Sequence, residues 1–375
     1  MPLALPGSPL QVWAVDDDAV QLTWGALPAG AITAEAGTAG VTVEHRGGPG
    51  ALELGGLTPG TAHEILVRWP GGRRQLTART ATPPPGRELC RVATISDLHL
   101  GSRRWGALKT MTDDAGATVP FPLRCARAAV SEAVAWGAEL LIVKGDAADH
   151  QDHEHFELVG DLLDEVSDRI PVLLVPGNHE VDGRGRGPVP ATVGRRAIPY
   201  ERGAFSTDLE GLRVVVADTS VPGRGQGSID AVADEILAHV ADADRPFLLA
   251  VHHHFHPWPL PTIYPIGIAH PRSVEFLDEL AARNPNGLVT SGHTHRNRAR
   301  HHGPLRLTEV GSTRDWPGVW AGYVVHEGGI RQVVRRAAAP EAVTWHEYSR
   351  LALLGWWGRW ARGPLDHRCF THLWR

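Results

Sequence analysis

Over the first 83 residues, apolar and polar positions alternate in short runs, as they do in half-buried strands. Such runs fall at 11–15, 20–24, 41–45, 51–54, 64–69 and 75–80. Gly, Pro and Asp turns separate them, so residues 1–83 are expected to form a small all-β sandwich. The stretch Ala81-Thr82-Pro83-Pro84-Pro85-Gly86 follows. Three consecutive prolines cannot continue a central strand, and they mark a stiff linker.

From Arg91 the pattern changes. Apolar strands at 91–96, 139–144, 172–176, 212–217, 247–251 and 288–290 alternate with helical periodicity at 122–136, 155–167, 229–240 and 273–283. Strand patterns at 305–310, 321–325 and 330–334 close the series. The fold class expected is α/β, with a four-layer α/β/β/α sandwich over 84–339. Residues 340–375 form a third segment in which Trp345, Trp356, Trp357, Trp360 and Trp374 are interleaved with Arg350, Arg359, Arg362 and Arg368. It is expected to pack back on the preceding domain or on another subunit; a membrane interface is the other place that mixture suits.

Composition narrows the class. With 375 residues the chain can hold two domains and a sizeable core, and 42% hydrophobic with 21% charged residues is ordinary for a globular protein. The net charge of −5 gives no pull toward nucleic acid or anionic membrane as a whole. All 37 cations but Lys109 and Lys144 are Arg. Cys90, Cys125 and Cys369 are too few and too widely spaced for a disulfide framework. No leader-like segment and no run of about 20 apolar residues is present, so a cytoplasmic protein is expected.

Histidine, at 21, is in excess, and much of the excess falls in five short stretches. They are Asp97-Leu98-His99, Gly145-Asp146, Gly177-Asn178-His179-Glu180, His252-His253-His254 and Gly292-His293-Thr294-His295. Each stands at the carboxyl end of an expected strand, where loops of an open α/β sheet converge on a ligand. Asp97 and His99, like His293 and His295, are two residues apart and share a side in extended chain. Asp146 can bridge two cations, and Asn178 offers a neutral oxygen. Carboxylate, amide and imidazole without thiolate suit two hard or borderline divalent ions, which together do hydrolytic chemistry on phosphate esters. Any one stretch alone is an ordinary turn. The ordered set is what carries the reading.

That set resembles the calcineurin-like metallophosphoesterases over residues 91–326. The resemblance implies that Asp97, His99, Asp146 and His295 hold one metal. It implies that Asp146, Asn178, His252 and His293 hold a second, with Asp146 bridging. His179 would bind no metal and would instead stabilise the transition state or protonate the leaving group. The cofactors implied are two divalent ions (Mn, Fe or Zn), and the nucleophile a metal-bound hydroxide. His253 is the rival of His252. Asp149 stands where the purple acid phosphatase branch has a metal-bound Tyr, so an iron–tyrosinate colour is not expected.

Residues 1–83 in turn resemble a fibronectin type III domain through Leu22-Thr23-Trp24 and Leu57-Thr58-Pro59-Gly60-Thr61, with Ala62-His63 where that family places its corner Tyr. Arg103, Arg104 and Trp105, in a loop reaching Pro120, and the stretch 311–317 are candidates for shaping a pocket. His150, His153 and His155 are candidates for a supporting role. The function expected is hydrolysis of a small-molecule phosphomonoester or phosphodiester. A nuclease of the same fold, or a metal-stabilised interaction module working through the β domain or the 340–375 segment, are the alternatives. The acidic charge argues against the nuclease.

Overall fold

The computed structural model describes residues 8–375 apart from 107–108, 114–116, 185–186 and 260–264. Part of the loop from Arg103 to Pro120 therefore lies outside the described residues.

Seven strands build the first region: β1 (Gln11–Val15), β2 (Val20–Leu27), β3 (Gly30–Ala36), β4 (Ala39–His45), β5 (Gly48–Leu54), β6 (Ala62–Trp69) and β7 (Gly72–Arg79). They form two antiparallel sheets, ordered β1-β2-β5 and β4-β3-β6-β7. Leu22, Trp24, Ile32, Leu54, Ile65 and Val67 fill the space between. The sequence pattern did not predict β3. Its inward positions are Ile32, Ala34 and Ala36, and alanine carries little strand preference. Pairing with β4 and β6 on either side fixes it.

The second region runs β8 (Glu88–Ile95), α1 (Phe121–Ala135), β9 (Leu140–Lys144), α2 (His153–Asp164), β10 (Val172–Val175), β11 (Ala204–Leu209), β12 (Leu212–Ala217), α3 (Ala233–His239), β13 (Phe247–Val251), α4 (His270–Arg283), β14 (Gly287–Ser291), β15 (Arg298–His302), β16 (Leu305–Glu309), β17 (Val319–His326), β18 (Gly329–Arg336), α5 (Pro340–Ser349) and β19 (Cys369–Leu373). Two six-stranded sheets result, ordered β10-β9-β8-β17-β18-β19 and β11-β12-β13-β14-β16-β15.

Strand period 2 explains why the sheets stack. Val92, Leu140 and Ile142 point inward to meet Val214, Val216, Leu248 and Leu288 of the other sheet. Their neighbours Ala93, Ile95, Leu141 and Val143 point outward onto α1, α2 and α5. Val215, Leu249 and Val251 point outward from the second sheet onto α3 and α4. Both faces of each sheet are covered, so the central strands read as continuous apolar runs. This is the expected four-layer α/β/β/α sandwich. Strands β11, β15 and β19 were not predicted. All three are edge strands, where one side has no partner and polar residues suffice.

Residues 340–375 supply α5 to an outer layer and β19 to the first sheet, paired with β18. Trp345 of α5 stacks on Phe121 of α1 at 3.7 Å between ring centroids. The seven-stranded region docks on the same side. Trp13 is fully buried against Trp316, and Arg368 Nη1 donates to Trp13 O at 2.6 Å. Asp16 pairs with Arg331 at 2.7 Å and with Arg335. Burial pushes its carboxyl up, but the two guanidiniums outweigh this and hold it below its ordinary value. No described helix is long and apolar enough to cross a membrane.

Candidate metal centre

The five stretches converge. Parallel pairing sets the ends of β8 and β9 side by side in one sheet, and those of β13 and β14 in the other. Beyond these ends the backbone is forced. Asp97, His99, Asp146, His293 and His295 all have φ between 47° and 67°. Non-glycine residues adopt that region at a cost of roughly 1–3 kcal/mol each, and such strain clusters at functional sites. Close approach explains two glycines. A Cβ on Gly177 would collide with the Asp146 carboxylate, and one on Gly292 with the Ser96 hydroxyl.

The side chains face one another. His295 Nε2 lies 3.3 Å from Asp97 Oδ1, and His99 Nε2 lies 3.7 Å from Asp146 Oδ2. On the other side of Asp146, His252 Nε2 lies 3.4 Å from Asp146 Oδ2, 3.2 Å from Asn178 Oδ1 and 3.1 Å from His293 Nδ1. Asp146 thus stands between two groups of donors. His253 is drawn off: its Nδ1 lies 2.9 Å from Thr219 Oγ1, although one of its ring nitrogens stays within 4.8 Å of donors on His252 and His293. His179 is about 29% exposed, with Nδ1 on the Asp149 carbonyl at 2.6 Å and its ring edge-on to His99.

Behind the donors stands a second set of groups. Asp315 Oδ1 holds His295 Nδ1 at 2.8 Å, and Asp149 Oδ1 lies 3.3 Å from His99 Nδ1. Arg314 links the two carboxylates, at 3.4 Å from Asp315 and 3.6 Å from Asp149. His252 and His293 are backed instead by carbonyls, Lys144 O at 2.8 Å and Ile266 O at 3.2 Å. Fully buried Glu180 accepts from the backbone N–H of Asp146, Ala148 and Gly177, so it clamps two ligand-bearing turns together. Burial and the nearby Asp146 push its carboxyl up to about 7. Sequence reasoning missed the roles of Glu180, Asp315 and Arg314. An acid inside an otherwise neutral turn was the available signal for Glu180. Asp315 lies in the stretch considered as pocket lining, yet it supports His295 from behind. Arg103 and Arg104 are exposed, while Trp105 is buried against Trp357. His150 Nδ1 sits 2.7 Å from Asp182 Oδ2, and His150 stacks beside His179.

This donor set fits divalent cations. His99 Nε2 is buried with no hydrogen-bond partner among the described residues. Asp97 and Asp146 are buried carboxylates with no Arg or Lys bonded to them among the described residues. Burial opposes charge on both, but neighbouring imidazoles (His295 and His252 foremost) hold them ionised. The carboxylates in turn draw positive charge. Against the effect of burial, Asp146 raises His252 to about 9, and Asp315 with Asp97 raises His295 to about 10. Two triads, Asp97/His99/His295 and Asp97/Asp146/His252, bring their ligand atoms within 4.8 Å of one another.

A carboxylate–imidazole centre at the strand ends of a four-layer α/β/β/α sandwich is that of a metal-dependent phosphoric ester hydrolase. The model of the calcineurin-like phosphoesterase family matches residues 90–297. The chain belongs to that family. It is 23% identical over 241 residues to a probable cyclic nucleotide phosphodiesterase of Psychrobacter arcticus, which covers 62% of this chain and 83% of that protein. It is 32% identical over 108 residues to the 3',5'-cyclic adenosine monophosphate phosphodiesterase CpdA of Pseudomonas aeruginosa, covering 28% of this chain and 39% of that one. Among solved structures, the purple acid phosphatase PPD1 of yellow lupin (Lupinus luteus) is similar at 12% identity and a TM-score of 0.46, over 88% of this chain and 71% of that one. PhoD is similar at 10% identity and a TM-score of 0.45, over 88% and 85%. At those scores neither carries an argument.

Proposed function

We propose that the protein hydrolyses a small phosphodiester at a centre of two divalent ions, held by the residues that face one another around Asp146. One position is formed by Asp97, His99, Asp146 and His295, the other by Asp146, Asn178, His252 and His293. When bound, the ions supply Lewis acidity and lower the pKa of a shared water. The chain does the rest. Asp146 spans both positions, with its Oδ1 held by the His179 N–H at 2.9 Å. Asp315 fixes the tautomer of His295 through its bond to Nδ1, and the Asp149 carboxylate lies beside His99 Nδ1 at 3.3 Å. His179, partly exposed beside His99 and bonded through Nδ1 to the Asp149 carbonyl, has Nε2 left to donate to the phosphoryl group or the leaving oxygen. The observation that carries the reading is Asp146 placed between two sets of donors.

The diester preference rests on the names of the two curated relatives. A phosphomonoester is the second reading. The β region over 1–83 is proposed as a fibronectin type III-like domain. Seven strands in sheets of three and four support this, as does His63 Nε2 at 3.0 Å from Thr58 O, near the place of a corner tyrosine. The Pro-rich stretch at 81–86 is its proposed boundary from the catalytic domain over 84–339, and 340–375 completes the latter's layers.

The test is turnover of bis-p-nitrophenyl phosphate, p-nitrophenyl phosphate and cyclic nucleotides with Mn²⁺, Fe²⁺, Zn²⁺ or Co²⁺, alongside Asp146→Ala. The expected result is metal-dependent diester cleavage, with both metal content and turnover lost in the variant. Hydrolysis retained by pure Asp146→Ala would sink the site assignment. No turnover with any metal would favour the interaction module.

A further inference from the structure

The segment that follows α5 exposes apolar side chains where burial is the rule. Leu354 is fully exposed at 104%, Leu353 at 52% and Trp356 at 55%, and Tyr348 in the last turn of α5 is exposed at 45%. Leu353 and Leu354 have φ of 51° and 58°. Two consecutive leucines in the left-handed region store strain, and here it holds both side chains toward solvent. The backbone beneath is anchored. Trp357 Nε1 donates to Trp316 O at 3.0 Å, and its ring packs on Trp105 and lies 6.4 Å from the ring of His295. The exposed leucines therefore project from a fixed rim beside the metal centre.

Charge around this rim is reversed relative to the molecule. The protein carries −5 overall. The two segments that meet at Trp105 and Trp357, residues 100–112 and 350–363, carry Arg103, Arg104, Lys109, Arg359 and Arg362, while Arg350 is paired with Glu347 at 3.0 Å and Asp113, which follows the first segment, is paired with Arg124. Arg103, Arg104, Lys109 and Arg359 are exposed. Exposed leucine and tryptophan on a segment that meets another rich in exposed cations is the composition that inserts at the boundary of an anionic bilayer. A second copy of the chain would bring the same cations against themselves, which disfavours self-association here.

We propose that Leu353, Leu354 and Trp356, with the surrounding cations, dock the protein on an anionic lipid surface and set the metal centre beside it. The proposal is independent of the diesterase reading, and either can fail alone. It is tested by co-sedimentation of the full chain with vesicles of phosphatidylcholine containing phosphatidylglycerol, and with vesicles of phosphatidylcholine alone. Binding is expected only to the anionic vesicles. It should weaken several-fold between 0.1 M and 0.5 M salt and fall at least tenfold in Leu354→Asp and in Arg359→Glu. Leu354 makes no buried contact, so its variant should keep the wild-type melting temperature and its turnover of a soluble ester. No binding to anionic vesicles, or equal binding by Leu354→Asp, would overturn the proposal. So would sedimentation equilibrium showing a dimer that Leu354→Asp dissolves, with no vesicle binding.

Discussion

At the residue scale, the centre depends on groups that touch no substrate. Asp315 is buried, holds His295 at Nδ1 and accepts from Ser312 Oγ. Orienting partners of this kind are worth 10–100-fold in metal affinity. Asp315→Asn should therefore weaken binding at the first position by that factor, read by competition with a chromophoric chelator, and leave circular dichroism unchanged. Affinity within threefold of wild type would refute the role. Glu309 makes a separate argument. It is buried and bonds Arg296 Nε at 2.8 Å, Arg300 Nη1 at 3.2 Å and Thr294 Oγ1 at 3.0 Å. Burial pushes its carboxyl up, but His254, Arg296 and Arg300 bring it down to about 2 from 4.5. A lowered folded pKa gives stability that is present above pH 4.5 and lost as pH falls through about 2. Glu309→Gln should cost about 3 kcal/mol at pH 7, because the buried guanidinium of Arg296 and the partly buried one of Arg300 lose their counter-ion. The deficit should shrink at pH 3, as urea unfolding at the two pH values would show.

At the element scale, β1 of the first region is the critical contact. Trp13 is fully buried at the junction, edge-on to Trp316 and under the guanidinium of Arg368. Trp13→Ala should cost about 3–5 kcal/mol in urea unfolding, the usual penalty for emptying a buried indole site. A loss below about 1 kcal/mol would mean that the two regions are only loosely joined. Elements were legible in the sequence where burial was two-sided or periodic. Leu212–Ala217 and Phe247–Val251 match the expected strands residue for residue. Three edge strands rich in polar residues were not legible. Ala204–Leu209, Arg298–His302 and Cys369–Leu373 lie at edges, and their polar residues hid them. The order of the chain showed that each candidate donor stands at the carboxyl end of a strand; that the five stretches meet was not legible, because which strands pair, and in which direction, is set by the folded sheets. Glu180, Asp315 and Arg314 were hidden because their work is done on backbone amides and on other side chains. No spacing in the chain records that.

At the scale of the whole molecule, the candidate metal centre lies at the ends of strands from both sheets. β8 and β9 carry Asp97, His99 and Asp146, while β13 and β14 carry His252, His293 and His295. An ion at either proposed position would take donors from both sheets, tie them together and bind only the folded state. Metal at 100 times its Kd should thus add about 2.7 kcal/mol per site. Stripping with a chelator should lower Tm by several degrees, and restoring Mn²⁺ or Zn²⁺ should recover it. A Tm indifferent to chelation would mean that the sheets are held by their apolar contacts alone.

Asp315 and Trp316 are neighbours in the chain, yet they serve different parts of it. One orients a ligand imidazole. The other has its backbone N–H on Ser349 Oγ at 2.9 Å, its indole N–H on Gly358 O at 3.0 Å and its ring against Trp13. A single peptide unit is thus shared by the ion site, the carboxy-terminal segment and the amino-terminal β region. The consequence is genealogical. A lineage that exchanged the first 83 residues for another module would have to supply a new indole, or an equivalent, at one spot. Grafts that ignore it should yield an enzyme that folds but holds its ions poorly.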